Sequence, residues 1–221
     1  MDPLPPPPLR IDVVSDVVCP WCFVGKRQLE EALRRWAAAH PGAPAPEVRW
    51  LPFQLNPDMP PEGIDRREYL QRKFGRGDPA AIYNRVREAA AAAGLDLELQ
   101  AIGRQPNTLR AHALVHFAGE EGRQDAMVEA LFDAYFRRGV DLTRDETLRA
   151  LGAEAGLDEG SIAEALGNEA VWQAIADADL QARELGIDGV PFFIVGGRIG
   201  VAGAAGADAL VQAFERAATA P

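Results

Sequence analysis

The chain has 221 residues, of which 48% are hydrophobic and 25% are charged, and its formal net charge is -10. This balance is typical of a folded protein with a sizeable core and excludes wholesale disorder. The excess of acidic residues opposes binding to phosphate backbones, so we expect no nucleic-acid partner. No apolar run of about 18 residues occurs, so we expect no membrane-spanning segment.

The first eight residues are rich in proline, which cannot join a helix. We therefore predict that residues 1–8 form a disordered, extended arm. This segment lacks a basic stretch followed by an apolar one, which is the pattern of a secretory signal. We accordingly expect a cytoplasmic protein.

The elements that follow alternate at first between strand and helix. A run rich in Ile and Val at 9–14 predicts a buried strand, and residues 47–53 predict a second one. A helix is expected between them, with Cys19 as its N-cap, Pro20 at its first position and its end near 40–42. The apolar residues of this helix recur on one face: Phe23, Leu29, Leu33 and Trp36.

The middle of the chain has a different composition. Residues 107–190 contain no proline and are rich in Ala, Leu, Glu and Arg, which predicts a series of helices. After them, 192–195 and 198–201 predict two strands joined by a two-residue turn at Gly196-Gly197, where glycine supplies the positive φ. A last helix follows the turn.

Without the helical middle, the predicted order is β-α-β followed by β-β-α, which is the thioredoxin arrangement. We therefore predict an α/β protein with a thioredoxin-like fold (β-α-β…β-β-α) that is interrupted by a large all-helical insertion. The expected domains are a discontinuous thioredoxin-like domain of residues 9–54 and 187–218, and a helical insertion of residues 55–186.

The only two cysteines, Cys19 and Cys22, form a single C-x-x-C motif. Thiolate is the reactive form of cysteine, and the amide groups and dipole of a helix N-terminus stabilise an anion at Cys19. The spacing places Cys22 one turn inward, close to the sulfur of Cys19. The motif thus predicts thiol–disulfide exchange, in which Cys19 attacks a substrate disulfide and Cys22 resolves the mixed intermediate.

Three neighbours of the cysteines are candidates for supporting roles. Pro20 can open the helix. Trp21 can contact a substrate or simply pack beside the helix start. Asp16 can relay a proton to or from Cys22 if it is buried, or it can be an exposed carboxylate of the turn.

The sequence offers no complete set of metal ligands. A structural zinc site needs four ligands, and no second pair of cysteines is present. His112 and His116 are one helical turn apart, but nothing in the sequence places them near Cys19. We therefore predict no metal site and no cofactor.

Val190 and Pro191 precede the strand predicted at 192–195. A proline that opens a strand is unusual because it cannot donate to the ladder. In a thioredoxin-like fold this position holds a cis-proline that faces the cysteine pair, and the backbone of Val190 can hydrogen-bond an extended substrate. A trans proline at a loop edge is the alternative, since only about 5–6% of X–Pro bonds are cis.

Together these motifs resemble the DsbA-like thioredoxin family, and within it the FrnE-like cytoplasmic branch. The resemblance covers nearly the whole chain and rests on 15–26 (SDVVCPWCFVGK), 53–57 (FQLNP), Asn107-Thr108 with Ala111-His112, and 189–193 (GVPFF). It implies dithiol–disulfide oxidoreductase or isomerase activity. By position it also implies that Cys19 is the nucleophile, Cys22 the resolving thiol and Pro191 the cis-proline.

Two other functions are compatible with these motifs. A glutathione-dependent transferase or a 2-hydroxychromene-2-carboxylate isomerase-like enzyme would share the architecture, but related enzymes typically activate a thiol with a hydroxyl group. A non-catalytic holdase for unfolded chains is the other alternative. For the leading hypothesis we expect protein substrates that contain disulfides or thiols, with glutathione or another small thiol as a further candidate partner.

Overall fold

The computed structural model describes residues 7–75 and 79–219, so most of the predicted arm at 1–8 lies outside the described residues. In chain order the elements are β1 (Arg10–Ser15), α1 (Pro20–Ala39), β2 (Glu47–Pro52), β3 (Ile64–Asp65), α2 (Arg66–Phe74), α3 (Pro79–Ala92), β4 (Arg104–Gln105), α4 (Leu109–Glu120), α5 (Gln124–Phe136), α6 (Asp145–Glu154), α7 (Glu159–Gly167), α8 (Glu169–Glu184), β5 (Phe192–Val195), β6 (Ile199–Ala202) and α9 (Ala207–Thr219).

The central sheet has four strands in the order β2-β1-β5-β6. β1 is parallel to β2 and antiparallel to β5, and β5 is antiparallel to β6. In this register Ile11 lies between Val48 on one side and Val195 on the other. The predicted thioredoxin-like α/β fold is confirmed, because α1 connects the parallel strands and α9 follows the hairpin.

Helices α2 to α8 lie between β2 and β5, as predicted for the insertion. This region also contains the short antiparallel pair β3–β4, in which Ile64 faces Gln105. This pair was not predicted, because a strand of two residues leaves no periodic pattern in the sequence. The domain boundaries at 54/55 and 186/187 stay predictions.

The hairpin of β5 and β6 has a longer turn than predicted. β5 ends at Val195 and β6 begins at Ile199, and these two residues face each other. The turn therefore has three residues, Gly196 to Arg198, and the two-residue prediction is wrong. Gly196 and Gly197 adopt φ values of 60° and 69°, which glycine reaches without the steric cost of a side chain.

Helix α1 packs against other helices on two sides. Its N-cap Cys19 has extended backbone, with φ -93° and ψ 110°, and Pro20 occupies the first position, where its missing N–H costs nothing. On its buried face, the ring of Phe23 stacks on Phe132 of α5 with centroids 5.1 Å apart. Further along, Trp36 meets Phe214 of α9 edge to face. Helix α1 thus packs against the insertion through Phe23 and against the C-terminal helix through Trp36.

A buried lysine strengthens the connection between α1 and α5. Lys26 is 2% exposed, and its ammonium nitrogen lies 3.0 Å from Asp125 and 3.1 Å from Glu129. Burial alone would lower the pKa of Lys26, but Glu30 and these two carboxylates outweigh burial and raise it. For the carboxyl group of Glu129, burial alone would raise the pKa. The neighbouring cations Arg27 and Lys26 outweigh burial and lower the pKa of Glu129.

We expect Glu129→Gln to lower the free energy of unfolding by about 1 kcal/mol near neutral pH. We also expect the free energy of unfolding of this variant to fall less steeply than that of the wild type as the pH is lowered. Because folding lowers the pKa of Glu129, its contribution is present above the ordinary glutamate pKa of about 4.3. That contribution is lost as the pH falls through the lower folded-state value. Urea unfolding as a function of pH measures the effect.

The control for this prediction is Glu88→Gln, which changes an exposed glutamate of α3 without a partner among the described residues. We expect this variant to follow the wild-type profile. A destabilisation by Glu129→Gln that is the same at neutral and at acid pH would contradict the assignment.

Candidate active site

The C-x-x-C motif lies where β1 ends and α1 begins. The N–H of Cys19 donates to the Asp16 carbonyl at 3.0 Å, and the N–H of Cys22 donates to the Cys19 carbonyl at 3.0 Å. This turn places Cys19 before the first helical residue and Cys22 inside the first turn. Cys19 is 5% exposed, whereas Cys22 is 0% exposed. Of the two sulfurs, only that of Cys19 belongs to a residue with surface left for an incoming disulfide.

The surroundings of Cys22 favour its protonated form. Burial raises the pKa of the Cys22 thiol well above its ordinary range, and contact with Cys19 raises it further. The Ser15 side chain and the main chain of Asp16 hydrogen-bond the same thiol and act in the opposite direction. The two cysteines are therefore adjacent but chemically unequal.

The segment before β5 lies opposite Cys19. The Cys19 thiol donates to the Val190 carbonyl, with 3.5 Å between sulfur and oxygen, and the peptide bond between Val190 and Pro191 is cis. The Cys19 side chain forms no capping hydrogen bond with the amides of α1. The direct partner of the Cys19 thiol is therefore the Val190 carbonyl, and stabilisation of a Cys19 thiolate by the helix N-terminus stays a prediction.

Helix α1 can approach Pro191 because Gly25 has no side chain. A Cβ atom at Gly25 would lie 2.8 Å from Cγ of Pro191 and 3.2 Å from the ring of Phe193. The carbonyl of Pro191 also accepts the N–H of Gly203, at 2.8 Å, from the loop after β6. Gly25 thus sets the distance between the cysteine helix and the Val190–Pro191 segment.

Asp16 is buried under the active-site turn, with 0% of its surface exposed. Its carboxylate accepts the N–H of Leu55 at 2.7 Å and that of Val18 at 3.4 Å. The alternative of an exposed turn carboxylate is therefore wrong. The sequence could not decide this point, because the residues that cover Asp16 come from the segment after β2 and from the insertion.

The insertion brings His112 to the same place, which the sequence analysis did not expect. His112 is 4% exposed, and its Nε2 atom lies 3.5 Å from the carboxylate of Asp16 and 3.2 Å from the carbonyl of Phe53. His116 is exposed and lies 3.7 Å from Glu120. The sequence signals for His112 were its place in one of the segments that carry the family resemblance and its spacing from His116, and neither pointed to Asp16.

The remaining predicted residues lie at the start of α1. Pro20 and Trp21 are both partly exposed, and Trp21 packs against the edge of the core. This contact agrees with the interpretation that Trp21 packs beside the helix start.

Within 7–75 and 79–219, no group of three His, Cys, Asp or Glu side chains is arranged to hold a metal ion. None of the helices in those ranges has the length and hydrophobicity to cross a bilayer.

Comparison with known proteins identifies the family. The model of the DSBA-like thioredoxin domain matches residues 10–215. The chain belongs to this family. One relative is YwbO, an uncharacterized protein of Bacillus subtilis, which is 30% identical over 210 residues, or 93% of this chain and 96% of YwbO.

Solved structures agree with this assignment. A probable DsbA oxidoreductase from Streptomyces coelicolor superimposes with a TM-score of 0.84 at 31% identity, covering 96% of this chain and 91% of that one. A 2-hydroxychromene-2-carboxylate isomerase superimposes with a TM-score of 0.67 at 18% identity, covering 94% and 95% of the two chains. The latter likeness concerns the fold alone. The family and the adjacent cysteines support a thiol–disulfide oxidoreductase.

We expect a limiting amount of iodoacetamide to modify Cys19 at least about tenfold faster than Cys22 in the reduced, folded protein. Cys22 is shielded from solvent, and its raised pKa keeps it protonated near neutral pH. Mass mapping of peptides after a short reaction measures the ratio. In urea the two thiols should react at similar rates, and equal modification of the folded protein would contradict the assignment.

We expect Gly25→Ala to destabilise the protein by about 1–3 kcal/mol, because the new methyl group overlaps Pro191 and Phe193. Denaturant unfolding measures the loss. The matched control is Gly103→Ala, where an added Cβ meets no atom within 4 Å. If both variants have the same stability as the wild type, Gly25 does not set this packing distance.

Proposed function

We propose that the protein is a dithiol–disulfide oxidoreductase in which Cys19 is the nucleophile and Cys22 is the resolving thiol. The observation that carries the proposal is the unequal placement of the two adjacent cysteines. Cys19 keeps exposed surface at the helix start and faces the Val190 carbonyl, whereas Cys22 is fully buried behind it. A disulfide that approaches the site meets Cys19 first.

The proposed reaction has two steps that balance in atoms and electrons. The thiolate of Cys19 attacks one sulfur of a substrate disulfide, a mixed disulfide forms, and the other substrate sulfur leaves as a thiolate that takes up a proton. Cys22 then loses its proton and attacks the sulfur of Cys19. The Cys19–Cys22 bond forms as the substrate's remaining sulfur leaves as a thiolate, which takes up a proton. The substrate gains two electrons, and the dithiol loses two.

Val190 and Pro191 are proposed to form the substrate side of the site. The Val190 carbonyl accepts from the Cys19 thiol in the free protein, and this acceptor becomes free once the sulfur enters a mixed disulfide. An extended substrate backbone can then donate to it. In this proposal Pro191 is the family's cis-proline, and Pro20 and Trp21 support the helix start that carries Cys19.

The redox direction follows from the expected compartment. In a reducing cytoplasm the pair rests mainly as a dithiol, which favours reduction or isomerisation of substrate disulfides over net oxidation. The segments that match the FrnE-like branch are the basis for proposing that branch within the family. We propose protein disulfides as substrates and glutathione or another small thiol as the electron donor.

A glutathione-dependent transferase or 2-hydroxychromene-2-carboxylate isomerase-like enzyme is the second candidate, because an isomerase of that kind shares the fold. Residues 19 and 22 are both cysteines, which favours covalent disulfide exchange over this alternative. The related enzymes typically activate the thiol of a bound substrate with a hydroxyl group instead. Tight binding of glutathione to the Cys19→Ser, Cys22→Ser protein, measured by calorimetry, would favour the second candidate.

We expect Cys22→Ser to accumulate a mixed disulfide between its Cys19 and a sulfur of insulin, because no second thiol is present to resolve it. We expect Cys19→Ser to form no such adduct. The chain has only these two cysteines, so each variant retains a single thiol. Non-reducing electrophoresis and intact mass measure the adduct, and insulin reduction by dithiothreitol measures turnover. Wild-type turnover in the Cys19→Ser protein would remove Cys19 from the mechanism.

A further inference from the structure

A pocket of about 450 Å³ lies between the segment that follows β2 and helix α2. Residues 55–60 form one wall of this pocket, and Tyr69, Arg72 and Lys73 of α2 line the other. Neither cysteine of the C-x-x-C motif lines it. We refer to it as the α2 pocket, and the dithiol mechanism described above makes no use of it.

The wall formed by residues 55–60 is held in place by a turn and by the insertion. The N–H of Met59 donates to the Asn56 carbonyl at 3.1 Å, which closes the turn Asn56–Met59. The side chain of Asn107, just before α4, donates to the Met59 carbonyl at 2.6 Å. Pro57 and Pro60 restrict the backbone further. A wall restrained in this way keeps its shape without a ligand, which lowers the entropic cost of binding one.

The α2 side of the pocket is positively charged, although the chain as a whole carries a net charge of -10. Lys73 donates to the hydroxyl of Tyr69 at 2.7 Å and forms no ion pair within the described part of the chain. Arg72 pairs with Glu68, and both side chains are exposed, so this pair contributes little and can be exchanged. Asp58 is the only carboxylate among the described lining residues. Two cations against one carboxylate favour an anionic ligand.

The opposite wall contains a donor that lacks an acceptor. The side-chain nitrogen of Asn56 is buried and has no hydrogen-bond partner among the described residues. A buried donor without an acceptor is unfavourable, and a carboxylate can accept from several donors at once. The available donors of the pocket, at Asn56 and at Lys73, are therefore complementary to the same ligand chemistry, which is a negatively charged acceptor.

Leu55 connects the α2 pocket to the redox site. It lines the pocket, and its N–H donates to the Asp16 carboxylate at 2.7 Å. Asp16 begins the hydrogen-bonded turn that ends at Cys19, and the Cα atoms at the two ends of such a turn are less than about 7 Å apart. An extended peptide spans about 3.3–3.6 Å per residue. A peptide joined to Cys19 through its own cysteine can therefore reach the pocket with a residue within about three positions of that cysteine.

We propose that the α2 pocket is a specificity subsite for protein substrates, and that it binds the carboxylate of an acidic residue close to the reactive cysteine. The proposal rests on the proposed function above and names the substrate class, which is peptide segments whose cysteine has acidic neighbours. Arg72 and Lys73 are the specificity-determining residues, and Asn56 supplies a further N–H. A lysine at the same place in a substrate would meet two like charges. Asp58 opposes the preference for acidic residues.

The test uses peptides with capped termini and one cysteine, which is flanked on both sides by Glu, Gln or Lys and activated as a mixed disulfide with thiopyridine. The Cys19 thiolate attacks the peptide sulfur, the S–S bond breaks, and thiopyridone leaves, because the thiol of lower pKa is the better leaving group. Absorbance of the released thiopyridone gives the rate constant of this step. Division by the rate constant for 2-mercaptoethanol removes differences in the reactivity of the peptides themselves.

For the wild type at low salt, we expect the corrected rate constant of the Glu peptide to exceed that of the Gln peptide by about fivefold. The Lys peptide should react more slowly than the Gln peptide. Both differences should shrink at an ionic strength of about 1 M, where exposed charges are screened within about 3 Å. A wild type without a preference for the Glu peptide would overturn the subsite.

Three variants identify the residues responsible. In Arg72→Gln, Lys73→Gln we expect the Glu-to-Gln ratio of rate constants to fall by about threefold or more. The control Arg67→Gln, Arg85→Gln removes the same charge from two exposed residues that do not line the pocket, and it should keep the wild-type ratio. Asp58→Asn should raise the ratio. Each ratio is taken within one protein, so a change in overall activity cancels.

The outcomes separate this inference from the proposed function. The same ratio in Arg72→Gln, Lys73→Gln as in the wild type, or an equal loss in the control variant, would overturn the subsite. The dithiol mechanism would remain, because the Gln peptide reports exchange at Cys19 independently of the pocket charges. A wild-type protein that releases thiopyridone from none of the peptides would overturn the proposed function itself.

Discussion

The active site depends on how the turn between β1 and α1 is held. The carbonyl of Asp16 accepts the N–H of Cys19, and its carboxylate accepts the N–H of Leu55, which belongs to the segment that leaves β2. One buried residue thus joins the first strand, the cysteine helix and the start of the insertion. Because its carboxyl group is fully removed from water, the groups around it must supply the hydrogen bonds that solvent would otherwise give.

The insertion contributes much of that support, so it is more than an addition to the thioredoxin-like framework. His112 of α4 reaches the Asp16 carboxylate, while Phe132 and the acidic residues of α5 hold the opposite side of α1 through Phe23 and Lys26. These long-range contacts all hold the N-terminal part of α1 and the turn before it, where the cysteines lie. In thiol–disulfide exchange, small changes in the stability of one thiolate alter the equilibrium directly.

The features that depend on residues close together in the chain were predictable from the sequence. The start of α1 follows from an N-cap residue and a proline at the first helical position. The order of strands and helices along the chain follows from short apolar runs that alternate with segments of helical periodicity. The turn of the β5–β6 hairpin was predicted one residue too short, since the two glycines indicate a turn but the register of Val195 and Ile199 determines its length. The pair β3–β4 was too short to leave a pattern.

The sequence by itself determined that one cysteine pair begins a helix after a buried strand, and that a proline precedes a second strand that can pair with the first. Only the tertiary structure decided that Asp16 is buried, that the Val190 carbonyl accepts from the Cys19 thiol, and that His112 lies beside Asp16. Spacing along the chain records contacts within one element. Burial and charge compensation between residues about a hundred positions apart depend on how the elements pack.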